Sequence, residues 1–574
     1  MRFSRPRLVA ALVATAISTL VEAQTTWTGT GGNTTFSNTA NWNNNLAPAN
    51  TGTASVAFGN TGFGAVNVDT SYSLNSITLN STTTNYTFSG SALSIASAIT
   101  SSTPSGISSN FNDAIQLTGS SAFSTGSSNL TFSAINTGSH GLILSSTGGA
   151  LTVTGNITGN GALTVSGNSP GVVFLGGASN TYSGGTTINS GAVLQYGDPG
   201  GTLSISIPGN VTDNGQLNIK PINTPYTYTG VISGTGTLYQ LGTNVLTLQG
   251  KNTYAGQTVI AAGTLQIGVN NALPVTTSLS MNGTNGAVLN VAYDQAIDHF
   301  GPNSAGSSIT IQSGKTFTVS AASSATSSSY FGTISGSGQL EIEGVSGSKF
   351  NLTQTTPFAG ATNVESGQLG IHNASGNSVV DALSGAVTVY SGASIEGKGG
   401  ISGSLMLNTG ATITVDPKFS VGPTTFNGGT TYNMLLANAT GASGTDYSLL
   451  SVSGVLALGT ASSAIGNQIT IRPVSFNGSS PGQAANFDTT QSYSFILAST
   501  TAGITGFNAA NFAVDLTNFQ NAFTGTWSVA QAGNNLDLIY TGGAAIPEPA
   551  MSELLFGCLA LGIAFCWRLT SSRP

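Results

Sequence analysis

The chain has 574 residues and a formal net charge of −7, and only 5% of its residues are charged, against about 25% in a typical globular domain. Between Gln24 and Ala545 lie 16 acidic and 7 basic residues, which gives a thinly spread net charge of −9. This balance argues against nucleic acid or an anionic membrane surface as a partner. Both cysteines, Cys558 and Cys566, lie near the C-terminus, which excludes disulfides and thiolate metal sites from the rest of the chain.

Residues 1–23 have the pattern of a secretory signal peptide. Arginines at positions 2, 5 and 7 precede an apolar run at 8–20, and Ala23 precedes Gln24. The run is too short and too close to the terminus for a stable membrane span. We therefore predict export with cleavage between Ala23 and Gln24. The alternative is an uncleaved anchor.

Residues 24–150 begin with two tryptophans, Trp27 and Trp42, among glycine and asparagine turns. Aromatic side chains of this kind either cover the open end of a strand stack or form a platform for a sugar. Short irregular strands, such as residues 76–79, follow as far as residue 150. We predict an N-terminal cap followed by the first rungs of a strand stack.

The region 151–425 contains one pattern three times, at 180–197, 252–268 and 357–371. Each copy keeps an aromatic residue, a glycine two residues later, a threonine, a β-branched residue and a glycine that opens a second strand. A strand pair this small cannot bury its apolar face alone, so equivalent units must stack on one another. The pattern therefore predicts an all-β fold, a parallel β-helix or solenoid.

The second copy shows which side chains should face inward. Thr258 and Ile260 lie two residues apart and so share one face of a strand, as do Leu265 and Ile267. We predict that Ile260 and Leu265 are buried and that Thr264 points outward.

A second signature precedes each copy: an isoleucine, then two glycines two residues apart, then a leucine. It occurs at 157–163, 232–238 and 334–340. This spacing predicts a tight corner at which only glycine tolerates the backbone.

These segments resemble the autotransporter-associated β-strand repeat of bacterial surface proteins, strongly over about 150–270 and more weakly over 330–410. The alternative is generic low-complexity sequence rich in glycine and threonine. The resemblance implies a surface-displayed β-helix. The segment around Trp27 and Trp42 is similar to the N-terminal cap common in such proteins.

The one local cluster that suggests catalysis is Asp294, Asp298 and His299, which could act as acid, base and orienting group. We favour a polar loop or short helical turn between rungs, because nothing else in the sequence converges there. The three histidines, His140, His299 and His372, are far apart and lack metal-ligand spacing. We predict no catalytic site, no metal and no cofactor.

Residues 426–545 change character. Strands are separated by longer loops, and phenylalanine becomes denser, at positions 507, 512, 519 and 523. We predict a C-terminal β-rich cap or small sandwich.

Residues 546–574 end the chain. Pro547, Glu548 and Pro549 precede a mostly apolar run at 554–567, predicted to be a single transmembrane helix, and Arg568 follows it. The acidic residue before the run and the arginine after it predict a cytoplasmic tail. The alternative is a plain tail anchor.

This segment resembles the PEP-CTERM sorting signal. The resemblance implies an exosortase-type sorting protease as a partner, which cuts near the motif and passes the protein to the cell surface or extracellular matrix. The single Arg568 directly after the helix, and Glu553 near its start, depart from the usual pattern and put the efficiency of sorting in doubt.

We predict an exported, surface-displayed structural or adhesive protein, anchored in the membrane before any sorting cleavage, with extracellular polysaccharide or other surface proteins as partners. The alternative is a β-helix polysaccharide lyase or hydrolase, but so few charges make a cluster of catalytic carboxylates hard to build. A true autotransporter passenger would instead need a translocator barrel of alternating strands.

Overall fold

A computed structural model describes residues 24–198, 200–321, 327–354, 356–372, 381–478 and 480–543. The chain divides into two compact units, one ending at Pro274 and the other beginning at Val275. The predicted signal peptide and the predicted tail helix at 554–567 lie outside the described residues. Across the part that is described, no helix is both long enough and apolar enough to cross a membrane.

Unit 1 consists of strands in three sheets whose neighbouring strands run parallel. The first sheet contains Thr25–Trp27, Ser55–Phe58, Tyr72–Leu79, Leu93–Ser101, Ser121–Thr125, Leu142–Ser146, Leu163–Gly167, Thr186–Ile188, Val211–Asp213 and Ile232–Ser233, with Ile115–Leu117, Ile135–Asn136 and Ile157–Thr158 beside them. The second contains Ala65–Val68, Thr87–Gly90, Ser108–Phe111, Asn129–Phe132, Ala150–Val153, Val172–Leu175, Val193–Tyr196, Gln216–Ile219, Thr237–Gln240 and Thr258–Ile260. The third contains Tyr226–Tyr228, Val245–Leu248 and Thr264–Ile267.

The register shows how the chain winds in unit 1. Leu142 lies opposite Leu163, and Leu163 lies opposite Thr186, so successive turns are 21 and 23 residues apart. Each of these turns adds one strand to the first sheet and one to the second. In Leu163–Gly167, the inward Leu163 and Val165 alternate with the outward Thr164 and Ser166. The prediction of an all-β parallel solenoid is confirmed.

Unit 2 is built in the same way. Two groups of parallel paired strands come first in unit 2: Ser278–Met281 with His299–Asn303, and Val288–Val291 with Ser308–Ile311 and Thr333–Gly336. A long sheet contains Gln295–Ile297, Thr316–Val319, Gln339–Glu343, Ala361–Ser366, Val387–Val389, Leu405–Leu407, Thr424–Phe426, Leu456–Leu458 and Ile504–Thr505. A second long sheet contains Ser327–Tyr330, Lys349–Leu352, Gln368–Ile371, Ser394–Gly397, Thr412–Val415, Thr431–Leu436 and Ile469–Asn477, and this last strand also pairs with Ser480–Pro481 and Phe512–Val514. The third long sheet contains Asp381–Leu383, Gly400–Ile401, Lys418–Val421, Leu449–Val452, Tyr493–Thr500, Asn535–Thr541 and Thr526–Ala532.

The pairing changes only near the end of unit 2. Parallel pairing persists through Ile469–Asn477, which pairs with Phe512–Val514. Tyr493–Thr500, Asn535–Thr541 and Thr526–Ala532 then pair antiparallel. The parallel stack therefore continues well beyond residue 426, where the sequence suggests a change of character.

Helices among the described residues are 3₁₀ turns of three residues. They are Thr39–Asn41, Asn43–Asn45, Gly283–Asn285 and Ala509–Asn511.

The aromatic and threonine of the repeat meet inside the stack. The hydroxyl of Tyr182 lies 2.8 Å from Thr186 Oγ1, and that of Tyr254 lies 2.6 Å from Thr258 Oγ1. In the third copy Phe358 has no hydroxyl to offer, and the buried Oγ1 of Thr362 has no hydrogen-bond partner in the described structure. In the first two copies, the tyrosine and the threonine therefore satisfy each other's buried hydroxyl groups.

A buried amide precedes the aromatic of each copy and joins it to the corner signature. Asn252 accepts a hydrogen bond from the backbone N–H of Ile232 at 2.7 Å and donates to the carbonyl of Ala272 at 2.7 Å. Asn180 accepts from Ile157, and the longer Gln354 accepts from Ile334, in each case at 2.7 Å. The two sequence signatures are thus the two ends of one contact between successive turns.

The corner itself requires glycine, as predicted. Gly234 has φ +105°, in the left-handed region that favours glycine. At Gly236, a Cβ would collide with the carboxyl group of Asp213.

Candidate functional site

The two N-terminal tryptophans are buried. Trp27 is 0% and Trp42 is 1% exposed, and their rings meet edge to face with centroids 5.2 Å apart. Phe36 and Phe58 complete the cluster, and Trp42 Nε1 donates to the carbonyl of Phe36 at 2.7 Å. Because both rings are buried, they cannot form a platform for a sugar. The two tryptophans belong to the hydrophobic core beside the first strand of the first sheet.

The Asp294–His299 segment is not a loop or a helical turn, and that prediction is wrong. Gln295–Ile297 and His299–Asn303 are strands, with Asp298 between them. Asp298 Oδ2 lies 2.9 Å from His299 Nδ1, while Asp294 Oδ1 accepts a hydrogen bond from the Thr316 backbone at 3.0 Å. Gln295 and Ile297 point inward and Ala296 points outward. This alternation is typical of a strand, but it is short and is flanked by the charged residues Asp294 and Asp298.

The other predicted positions lie at the ends of the chain. Gln24 is exposed, and its Nε2 donates to Thr78 Oγ1 at 3.3 Å. Ala23, Pro547, Glu548, Pro549 and Arg568 lie outside the described residues.

Charged side chains gather instead on the outer face of the second long sheet of unit 2. Lys349 Nζ lies 3.0 Å from Glu396 Oε1, and Lys398 Nζ lies 3.0 Å from Asp416 Oδ2. Gln368 Nε2 also donates to Glu396 at 2.9 Å. In a chain with 5% charged residues, two ion pairs within or directly after the strands of one sheet mark this face as the candidate site.

Gly370 makes room for part of this cluster. It lies between Asn351 and Glu396 in the parallel ladder. A Cβ at this position would collide with Asn351 Oδ1 and lie 2.7 Å from His372 Nε2 and 2.8 Å from Lys349 Cε. The absent side chain therefore allows three polar side chains to converge above the strand.

His372 belongs to the same cluster. Its Nε2 lies 2.9 Å from Asn351 Oδ1, an acceptor, so the proton is on Nε2. Burial, followed by the positive charge of Lys349, lowers the pKa of His372 below its ordinary value. The ring is therefore neutral at pH 7 and acts as a hydrogen-bond donor.

Next to this cluster lies a groove with a volume of about 540 Å³. Its lining includes Glu396, Lys398, Asp416, Asp446, Tyr447 and Phe476. Carboxylates, an ammonium group and aromatic side chains around one cavity are suited to binding a polar molecule of appreciable size.

Residues 168–195 and 238–267 match the Passenger-associated-transport-repeat family model. These segments contain the copies with Tyr182 and Tyr254, so the predicted autotransporter-associated repeat is confirmed there. The chain is also 30% identical over 262 residues to Adhesin BmaC autotransporter from Brucella suis biovar 1 (strain 1330). That similarity covers 40% of this chain and 7% of the relative.

The passenger-associated repeats and the groove lie in different parts of the chain. Both repeat matches fall in unit 1, whereas every groove residue lies in unit 2. The groove is therefore a local addition to the repeated architecture.

The groove cannot be recognised in the sequence because the residues that meet on this face have no regular spacing. Asn351, Gly370, Glu396 and Thr414 stand opposite one another in successive strands, yet the intervals between them are 19, 26 and 18 residues. The available signal was the crowding of Glu396, Lys398, Asp416 and Lys418 in a chain that is otherwise almost uncharged.

Proposed function

We propose that this protein is an exported, surface-displayed β-solenoid with an adhesive role and no catalytic function. The observation that carries the proposal is the similarity over 262 residues to a protein named as an adhesin. The repeat matches in a parallel strand stack support the same class of surface protein.

The outer surface of unit 1 has chemistry that suits adhesion. Thr164, Thr187, Thr212 and Ser233 stand opposite one another on successive outward positions. Strands in a sheet are about 4.8 Å apart, so these residues form a row of closely spaced hydroxyl groups. Such a row offers repeated, uncharged hydrogen-bond donors and acceptors to a polysaccharide or another surface protein.

A polysaccharide lyase or hydrolase is the alternative, because the groove contains carboxylates. Glycoside hydrolysis uses two carboxyl groups, one of which must donate a proton to the leaving group. Here Glu396 and Asp416 each form an ion pair with a lysine, so both carboxyl groups are already engaged by a side chain of the protein. The arrangement therefore favours binding over catalysis.

The adhesive role predicts that cells lacking the protein attach more weakly to a polysaccharide-coated surface or to one another. We expect at least a several-fold loss of attachment that the parent chain restores. An antibody against the loop containing Ile465, which is 100% exposed, should label intact cells that express the protein. Surface labelling together with unchanged attachment would overturn the adhesive role.

We further propose that the tail is a sorting signal. Pro547, Glu548 and Pro549 separate the strand stack from the apolar run at 554–567. Proline residues favour an extended backbone, so we expect this motif to be presented to an exosortase-type protease at the membrane surface. The protein would then leave the membrane for the cell surface or extracellular matrix.

Replacing Glu548 by alanine tests the sorting proposal. We expect the variant to fold normally and to remain in the membrane fraction with its tail attached, because the sorting protease no longer recognises the motif. Glu553→Ala, which removes a carboxylate outside the motif and brings the apolar run closer to the usual pattern, should be processed at least as completely as the parent. Fractionation and intact-mass measurement of both ends provide the readout and also test cleavage after Ala23. If Glu548→Ala reaches the surface with the parent's mass and yield, the tail is a simple anchor.

A further inference from the structure

We propose that the groove of unit 2 binds a neutral oligosaccharide segment. This inference rests on the proposed adhesive function and names the class of ligand for one site.

The groove exists because the chain leaves the regular winding at this point. Thr414 lies opposite Asn433, 19 residues later, but Asn433 lies opposite Arg472, 39 residues later. The additional residues include the excursion 437–447, which rises beside the outer face of the sheet. Insertions between the rungs of a solenoid are placed on one face, often the binding face.

The excursion is an ordered wall. Leu436 and Tyr447 form an antiparallel bridge at its base, and Ala442 donates its backbone N–H to Asp446 Oδ2 at 2.8 Å. Gly444 donates to the carbonyl of Tyr447 at 2.7 Å. The wall is therefore held in place before any ligand arrives, which reduces the entropy lost on binding.

Polar atoms remain available in the groove. Asp416 and Asp446 each use Oδ2 in a contact, and among the residues that the structure describes neither Oδ1 accepts a hydrogen bond. Thr414 and Thr445 line the same space. Carboxylate oxygens and hydroxyl groups at several points can accept and donate hydrogen bonds to the vicinal hydroxyls of a sugar.

The aromatic lining supplies the complementary apolar contact. Tyr447 is 8% exposed and packs edge to face against Phe495 with ring centroids 5.3 Å apart, so it supports the wall. Phe476 is half-buried and lines the groove, so its ring is the aromatic surface that a ligand can contact. An aromatic face is electron-rich and attracts the C–H groups of a pyranose ring. One ligand class presents both hydroxyls and such C–H faces along its length, namely an oligosaccharide.

The charges select a neutral ligand. Lys398, the one lysine in the described lining of the groove, is paired with Asp416, and Glu396 is paired with Lys349. Asp446 forms no ion pair with another described residue, so the lining carries more negative than positive charge. An acidic polysaccharide would be repelled, whereas hydroxyl groups need no countercharge.

The test uses the full chain, purified in a mild detergent, with calorimetric titration of defined hexasaccharides. The neutral probes are cellohexaose, maltohexaose and mannohexaose; the acidic probe is hexagalacturonate, and the cationic probe is fully deacetylated chitohexaose. We expect at least one neutral hexasaccharide to bind at least tenfold more tightly than the acidic one, with little dependence on salt. Binding by the acidic or the cationic probe alone, or by none of the probes, would overturn the inference.

Two substitutions assign the binding to the groove. Phe476→Ala and Lys398→Gln should each weaken binding at least tenfold, and Lys398 is exposed enough that its loss should leave the fold intact. Phe523→Ala, which removes an aromatic side chain that is 40% exposed and outside the groove lining, should bind like the parent. Equal binding by parent and Lys398→Gln with an unchanged unfolding midpoint would place the site elsewhere.

The two proposals fail separately. If the deletion strain attaches poorly but the purified chain binds no neutral hexasaccharide, the adhesive role stands and the groove inference fails. If the chain binds but the deletion strain attaches like the parent, the adhesive role fails.

Discussion

Replacing Leu265 by aspartate is expected to lower the free energy of unfolding by at least about 3 kcal/mol. Leu265 is 0% exposed and lies opposite Leu246 in the parallel ladder. A carboxyl group at this position would either stay charged without a partner or remain protonated at pH values well above its ordinary pKa. The packing of the leucine side chain would also be lost.

The neighbouring residue provides a matched control. Thr264 lies on the outward side of the same strand, opposite Val245. Thr264→Asp introduces the same charge one residue away and should change the free energy of unfolding by about 0.5 kcal/mol or less. Urea unfolding followed by circular dichroism compares the two variants. An equal loss of stability would show that the interior of this stack does not exclude charge.

The second large effect concerns Asp213, a carboxylic acid inside the stack of unit 1. It is 0% exposed and lies opposite Ile188. Its Oδ1 accepts a hydrogen bond from the Gly215 backbone at 3.0 Å, and its Oδ2 has no hydrogen-bond partner in the described part of the chain. Burial raises the pKa of Asp213 from 3.8 to about 7.

This pKa makes stability depend on pH in a defined direction. The folded state holds the proton of Asp213 more tightly than the unfolded state does. The resulting contribution to the free energy of unfolding is fully present below about pH 4 and is lost as pH rises towards about 7. Since one pKa unit corresponds to about 1.4 kcal/mol, the loss approaches about 4 kcal/mol.

Asp213→Asn is therefore expected to remove this part of the pH dependence. The variant should gain stability over the parent above pH 7, because it places no charge in the interior, and this gain should disappear near pH 4. Thermal unfolding between pH 4 and 8 measures the difference. Asp488→Asn is a control of opposite sign, because hydrogen bonds from the Thr490 backbone and side chain lower the pKa of Asp488. A difference between parent and Asp213→Asn that does not change with pH would contradict the buried-acid interpretation.

The repeat pattern made much of unit 1 predictable. The spacing of Thr258, Ile260 and Leu265 identified the inward face, and all three side chains are buried. The corner glycines were also recognised, because a left-handed backbone at Gly234 leaves a residue type that is visible in the sequence.

Other features could not be predicted because they depend on distant contacts. The amide of Asn252 is visible in the sequence, but its partners Ile232 and Ala272 are 20 residues away on either side. Tyr182 and Thr186 were recognised as parts of a motif, yet their shared buried hydrogen bond follows only from the inward direction of both side chains.

The sequence by itself determined the parallel stack, its inward and outward positions and its glycine corners, because these follow from local periodicity repeated along the chain. Only the tertiary structure decided that Trp27 and Trp42 are core and that Asp298 and His299 lie at a strand junction. It also decided the groove, because turns of unequal length bring Glu396, Asp416 and Phe476 together. Parallel pairing sets which residues become neighbours, and irregular turn lengths conceal that pairing in the linear sequence.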